Sequence, residues 1–248
     1  MFEHNKYFLT KILIIALFGL SCTNSVESDN PAPEQVRMVE KSAENAVIER
    51  GIDAIAFTGL LTQNSIYIQW HSEDDEDLTV YDIYRSQDSV GTFPLLTSVV
   101  KQFGEIDTSY IDKNVAENVR YYYYVIARDA EDQEGPRSTK VNYKLGEMAV
   151  LNSPSPSDTN YTGVFSWDFP SFGPDEFIFR LERDIAGNFV HEYMNQLNRI
   201  DYNPHQEWNF TSLGLGNLLP GRYRWRIDII GADDNEGSES FWLGFQVQ

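Results

Sequence analysis

The sequence predicts an all-β protein: two β-sandwiches in tandem, behind a leader and a short tether. Three observations predict it. Apolar residues recur at every second position through most segments after residue 64, the period of a strand with one buried face. Long amphipathic helices are hard to find. The features of the first half also return in the same order in the second: a tryptophan strand, an aromatic strand, a tyrosine strand, an acidic glycine-containing turn and a Ser-led last strand.

The chain opens with a segment that is an address rather than a fold. Lys6 and Lys11 precede an apolar run, Ile12 to Leu20, interrupted only by Gly19. The run is shorter than the roughly 20 apolar residues that span a bilayer, and it fits the apolar region of a secretory signal. Polar residues follow at once, so a buried N-terminal helix would have nothing to pack against. Cys22 is the sole cysteine of the chain, so no intrachain disulfide can form and a cysteine zinc site is excluded. Gly19-Leu20-Ser21-Cys22 resembles the lipobox of bacterial lipoproteins, although Gly19 stands where that pattern prefers leucine. The resemblance implies cleavage after residue 21 and lipid attachment at Cys22, giving a membrane anchor outside the cytoplasm, expected at the outer membrane. Residues 22–33, rich in Ser, Asn, Pro and acid, have the composition of a tether.

The first globular unit is expected over residues 34–147. Ser42 to Arg50 has some helical character, ended by Gly51, and the long segment before Ser65 reads as an insertion on a sandwich edge. "SIYIQW" then alternates, with Ile66, Ile68 and Trp70 on one face and Tyr67 on the other. "VYDIYRS" places Tyr81 and Ile83 together, and "TSYID" follows. "RYYYYVIARD" divides by parity: Tyr121, Tyr123, Val125 and Ala127 face a core, while Tyr122 and Tyr124 face outward. A buried tyrosine ring still needs a partner for its hydroxyl.

These strands resemble strands B, C, E and F–G of the fibronectin type III family, within the immunoglobulin-like class. In that family a tyrosine near the start of strand F forms a corner, its hydroxyl bonding to backbone upstream. The resemblance assigns that role to Tyr121. A second unit, 148–248, is similar but looser. Trp167 in "GVFSWDF" matches Trp70, "FIFRLERD" resembles strand C, and "LLPGRYRWRIDII" resembles the next corner and strand F, with Tyr223 in the corner position.

For chemistry the sequence offers little. A net charge of −19 repels phosphate backbones, which excludes nucleic acid as a partner. No G-x-S-x-G elbow is present and Cys22 is committed to lipid, so no catalytic residue is expected and the chain reads as non-enzymatic. No cofactor or metal is expected: the acidic turns Glu73–Asp77, Asp129–Gly135 and Asp233–Gly237 lack EF-hand spacing and read as solvated turns. Tyr67, Tyr122 and Tyr124, with Tyr84, are a possible interaction surface for a protein or a glycan. The expected role is display, adhesion or accessory interaction at the cell surface, with carbohydrate binding beside a polysaccharide-processing system as the alternative.

Overall fold

In the computed structural model the alternating segments pair as fifteen strands among the described residues. The structure describes residues 30–57, 63–73, 75–158, 160–169, 175–199, 203–214 and 217–248; the leader and Cys22 lie outside them. In the first sandwich, β1 (Asp53–Phe57), β2 (Gln63–Gln69) and β5 (Ser109–Asp112) form one sheet in the order β1-β2-β5. β3 (Leu78–Ser86), β4 (Leu95–Val100), β6 (Arg120–Asp129) and β7 (Val141–Leu145) form the facing sheet in the order β4-β3-β6-β7. The second sandwich repeats the plan. β8 (Val150–Ser153), β9 (Val164–Asp168) and β12 (His205–Asn209) make the smaller sheet. β10 (Glu176–Ile185), β11 (Asn188–Asn198), β13 (Gly221–Ile230), β14 (Glu236–Glu239) and β15 (Leu243–Val247) make the larger one, with β14 and β15 pairing successive parts of β13. Both units are immunoglobulin-like sandwiches with fibronectin type III strand order.

Each sandwich has its own core. The first gathers Ile66, Ile68, Trp70, Tyr81, Ile83, Tyr123 and Val125; the second is built on Phe165, Phe177, Phe179, Trp225 and Ile227. Parity holds along β6: Tyr121, Tyr123, Val125 and Ala127 are buried, while Tyr122 and Tyr124 are half-exposed. The buried hydroxyl of Tyr123 donates to Asp112 Oδ2 at 2.9 Å, and Arg85 holds the same oxygen at 2.7 Å.

Strand F and its return repeat at a spacing of 102 positions. The corner tyrosines are Tyr121 and Tyr223. The Tyr121 hydroxyl accepts from the Ala116 N–H at 3.1 Å; that of Tyr223 donates to the Leu219 carbonyl at 2.8 Å. A guanidinium covers each ring, Arg85 at 5.0 Å and Arg183 at 5.6 Å. In the last strands Ser138 and Ser240 are again equivalent. Each hydroxyl accepts from the N–H of the facing strand-F residue, Val125 or Ile227, at 3.0 Å. The serines thus fill a ladder position where the strand kinks. Three residues before each stands a glycine, Gly135 or Gly237, with no room for a side chain: a Cβ would lie 2.5 Å from the Pro33 carbonyl oxygen or 2.4 Å from that of Ile229.

The kink in the second sandwich joins the two units. β14 pairs with β13 on one side and runs parallel to β7 on the other, with Glu236 opposite Lys144 and Gly237 opposite Leu145. The Lys144 N–H donates to the Asn235 carbonyl at 2.9 Å and the Gly146 N–H to that of Gly237 at 2.8 Å. The larger sheets therefore merge into one of nine strands. Gly237→Ala is expected to destabilise the protein by about 1–3 kcal/mol through overpacking. Gly146→Ala, whose Cβ would meet Gly237 at an ordinary 3.8 Å, is expected to be near neutral. Thermal unfolding of the two variants checks the contrast.

Candidate interaction site at the seam between the sandwiches

The seam begins with an interrupted first strand. Met38 bridges to Trp70, and the His71 N–H donates to the Arg37 carbonyl at 2.9 Å. The chain then leaves the sheet and returns at Asp53, opposite Tyr67. Residues 40–52 form a strap closed at its neck, where the Ser42 N–H donates to the Arg50 carbonyl at 3.1 Å. Gly51, at φ +84°, passes so close to Glu40 that a Cβ would lie 2.7 Å from its carbonyl carbon. This segment departs from the sequence prediction in two ways. It holds a core strand, β1, and Ser42 to Arg50 is not helical. A helix would bond the Glu44 and Ala46 carbonyls internally. Here both accept from Arg180, on the second sandwich, at 2.8 and 2.6 Å.

Arg180 on β10 and Arg226 on β13 are directly opposed, on the outward face of the larger sheet. Both are buried, at 5% and 7% exposure. Glu49 of the strap bridges them, one carboxylate oxygen 2.6 Å from each guanidinium. Asp228 lies 2.5 Å from Arg180 Nε and 2.8 Å from Arg226 Nε, and Glu239 lies 2.6 Å from Arg226 Nη1. Buried charges persist only when paired in this way. Burial alone would lower the Arg226 pKa, but Asp228, Glu239 and Glu49 outweigh it and raise it. Burial pushes the Asp228 and Glu239 carboxyls up, against the opposing pull of Arg226.

Asp53 extends the cluster into the first sandwich. The buried Tyr143 hydroxyl donates to it at 2.9 Å, and Lys41 Nζ lies 3.9 Å away. Burial raises the Asp53 pKa to about 7; Lys41 opposes this, while Glu49 and Glu44 add to it. A second set of contacts locks the turn at Asp233–Gly237, whose composition predicts a solvated turn. Arg120 reaches Asp233 at 2.8 Å and Glu236 at 3.4 Å, and Lys144 reaches Glu236 at 2.9 Å.

Among the described residues, two acidic groups have oxygens close enough to share a cation. In the first, Glu49, Asp228 and Glu239, the guanidiniums of Arg180 and Arg226 already supply the positive charge. The second brings together two turns read separately in the sequence, with Asp77 beside Asp129 and Glu131. There Asp129 is engaged by its own turn, accepting from the Glu131 and Gln133 N–H groups at 3.0 and 2.8 Å. The Glu131 pKa is raised, because its protonated carboxyl can donate a hydrogen bond to the neighbouring Asp77 carboxylate.

The three tyrosines expected to form one surface are divided between two sheets. Tyr67 lies on β2, in the smaller sheet; Tyr122 and Tyr124 lie on β6, in the larger. Tyr124 stacks on Tyr84 at 4.8 Å, Phe93 of the β3–β4 connection leans on it at 5.1 Å, and Arg137 lies 6.0 Å from its centroid. Lys140 holds that connection through the Ser89 carbonyl and lies 5.9 Å from the Phe93 ring. The repeat makes Tyr124 the counterpart of Arg226, and the pairing makes Tyr84 the counterpart of Arg180. The same face is covered in both sandwiches, by its own loop in the first and by the neighbour's strap in the second. The strap's partners were missed in the sequence because parity marks outward charges as solvated; the signal was "RWRID", which sets charges of both signs between buried residues.

No family model and no curated protein matches the chain. Solved structures do match over part of it. An Fn3-like protein from Clostridium thermocellum is 18% identical, covering 48% of this chain and 96% of its own, at a TM-score of 0.29. A β-1,2-glucanase from Parabacteroides distasonis is 25% identical, over 44% of this chain and 14% of its own, at 0.30. The FN1–FN3 domains of chicken CNTN1 are 11% identical, over 88% of this chain and 69% of theirs, at 0.32. Likeness of this degree says nothing about what the chain binds.

The Asp53 carboxyl gives the seam a pH dependence whose sign is fixed. Its folded pKa of about 7 lies above the ordinary 3.8, so the folded protein holds the extra proton between these values. Its contribution is fully present below about pH 4 and is lost as pH rises through 7, at up to about 1.4 kcal/mol per pH unit. Asp53→Asn is expected to remove this slope. Urea unfolding of both proteins at pH 5, 6, 7 and 8 checks it: wild type should lose stability relative to the variant as pH rises.

Proposed function

We propose that the chain is a non-enzymatic lipoprotein, anchored outside the cytoplasm through Cys22, that serves as an interaction module for display, adhesion or accessory binding at the cell surface. The observation that carries this reading is the seam. A sheet continuous across both sandwiches, with a strap of one buried in the face of the other, makes two common modules into a single presenting body. Such a body holds two outer surfaces at a fixed mutual angle, which suits an accessory subunit better than a flexible spacer. The most closely gathered carboxylates favour a structural role, because Glu49, Asp228 and Glu239 are neutralised by buried arginines. Lipid at Cys22, beyond a polar tether, would place this body at the membrane surface.

Carbohydrate binding takes second place. It drew on outward tyrosine faces, and Tyr124 gives its faces to Tyr84 and Phe93. The anchor is tested by Cys22→Ser in the cell of origin. The variant should move from the membrane fraction to the soluble extracytoplasmic fraction; retention in the membrane would overturn the anchor.

A further inference from the structure

The seam also shapes an open groove of about 490 Å³ to which both sandwiches contribute. Glu117 comes from the connection before β6 and Glu147 from the link between the units; Val150 and Leu151 lie on β8; Trp242 and Leu243 lie at the kink between β14 and β15. Val150 is 60% exposed, although it sits beside a core that buries most of its neighbours. Pockets of this size and apolar character occur preferentially at domain interfaces. This one is preformed, because the β7–β14 pairing holds its two sides.

Two guanidiniums lie against the Trp242 ring. The Arg224 guanidinium lies 4.5 Å and that of Arg226 4.9 Å from its ring centroid. Neither leaves an unmatched positive charge: Arg224 pairs with Glu182 at 2.5 Å, and Arg226 with Glu49, Asp228 and Glu239. The charged residues lining the groove are both glutamates. The chain's net charge of −19 adds a field of the same sign.

We propose that this groove docks a segment of a partner protein in which an apolar side chain is flanked by lysine or arginine. The apolar side chain packs on Val150, Leu151 and Leu243 beside Trp242, and the cations meet Glu117 and Glu147. The proposal names the partner chemistry for the interaction module described above and rests on that reading, but not on the lipid anchor, which Cys22→Ser tests separately. Binding weakens with added salt, as charge-steered association does.

The test uses the full chain with its five tryptophans labelled with nitrogen-15, the Trp242 indole signal being assigned by Trp242→Phe. The probes are the peptides Lys-Leu-Phe-Leu-Lys and Glu-Leu-Phe-Leu-Glu, and the sugar cellohexaose. The basic peptide should shift the Trp242 signal saturably, and the acidic one should bind at least about tenfold more weakly. Glu117→Gln with Glu147→Gln should close that gap while the other four indole signals stay in place, showing an intact fold. No shift at millimolar basic peptide, equal binding of both peptides, or a shift with cellohexaose alone would each overturn the proposal.

Discussion

Glu49, set between Arg180 and Arg226, is the contact on which the rest of the molecule depends. Two guanidiniums buried on the face of a sheet are tolerable only if nearly every N–H finds an acceptor. The second sandwich supplies Asp228 and Glu239 from its own strands. The remaining oxygen acceptors come from the first: the Glu49 carboxylate and the Glu44 and Ala46 carbonyls. Removing one partner from such a cluster typically costs about 3–5 kcal/mol, because a charge is left buried alone. The requirement explains why the first strand of the chain breaks in the middle, why the strap is not helical, and why Gly51 stands at its neck. An ion cluster of this kind contributes more to fixing one arrangement than to net stability, since apolar packing in its place would stabilise as well.

The two sandwiches solve one problem in two ways. A larger sheet of four or five strands has an outward face wide enough to need cover. In the first sandwich Tyr84 and Tyr124 stack there, and Phe93 closes over them. In the second, Arg180 and Arg226 hold the same positions, and the cover is borrowed from the neighbour. The borrowed cover and the β7–β14 pairing act together, one bonding side chains and the other backbone. Of the outward tyrosines of "YYYY", Tyr124 is the bed of a loop and Tyr122 stays half-exposed, while Tyr121 and Tyr123 belong to the corner and the core.

Much of the fold was legible because buried faces leave a period of two. Trp70, Trp167, Tyr121 and Tyr223 mark strands whose inner residues are apolar and whose flanks are turn-formers. β4 and β11 escaped notice because each is an edge strand, packed on one side only. "LLTSVV" is exposed or half-buried throughout, so its pattern carries no alternation. The strap escaped for a different reason. Its local sequence permits a helix, and the groups that prevent one lie 131 to 177 positions away. Contacts at that range leave no trace in local periodicity. The seam was illegible for the same reason: Asp233–Gly237 has the composition of a solvated turn, and only the fold brings Arg120 and Lys144 to it.

The central claim is that the strap and the shared sheet make the two sandwiches one rigid body. Pulsed electron-resonance distances between spin labels at Leu95 on β4 and Val190 on β11, in a Cys22→Ser background, test it most directly, since both sites are exposed and lie on opposite edge strands. A single narrow distance distribution is predicted, broadened by Glu49→Ala. A broad distribution in the parent, or one that Glu49→Ala leaves unchanged, would contradict it.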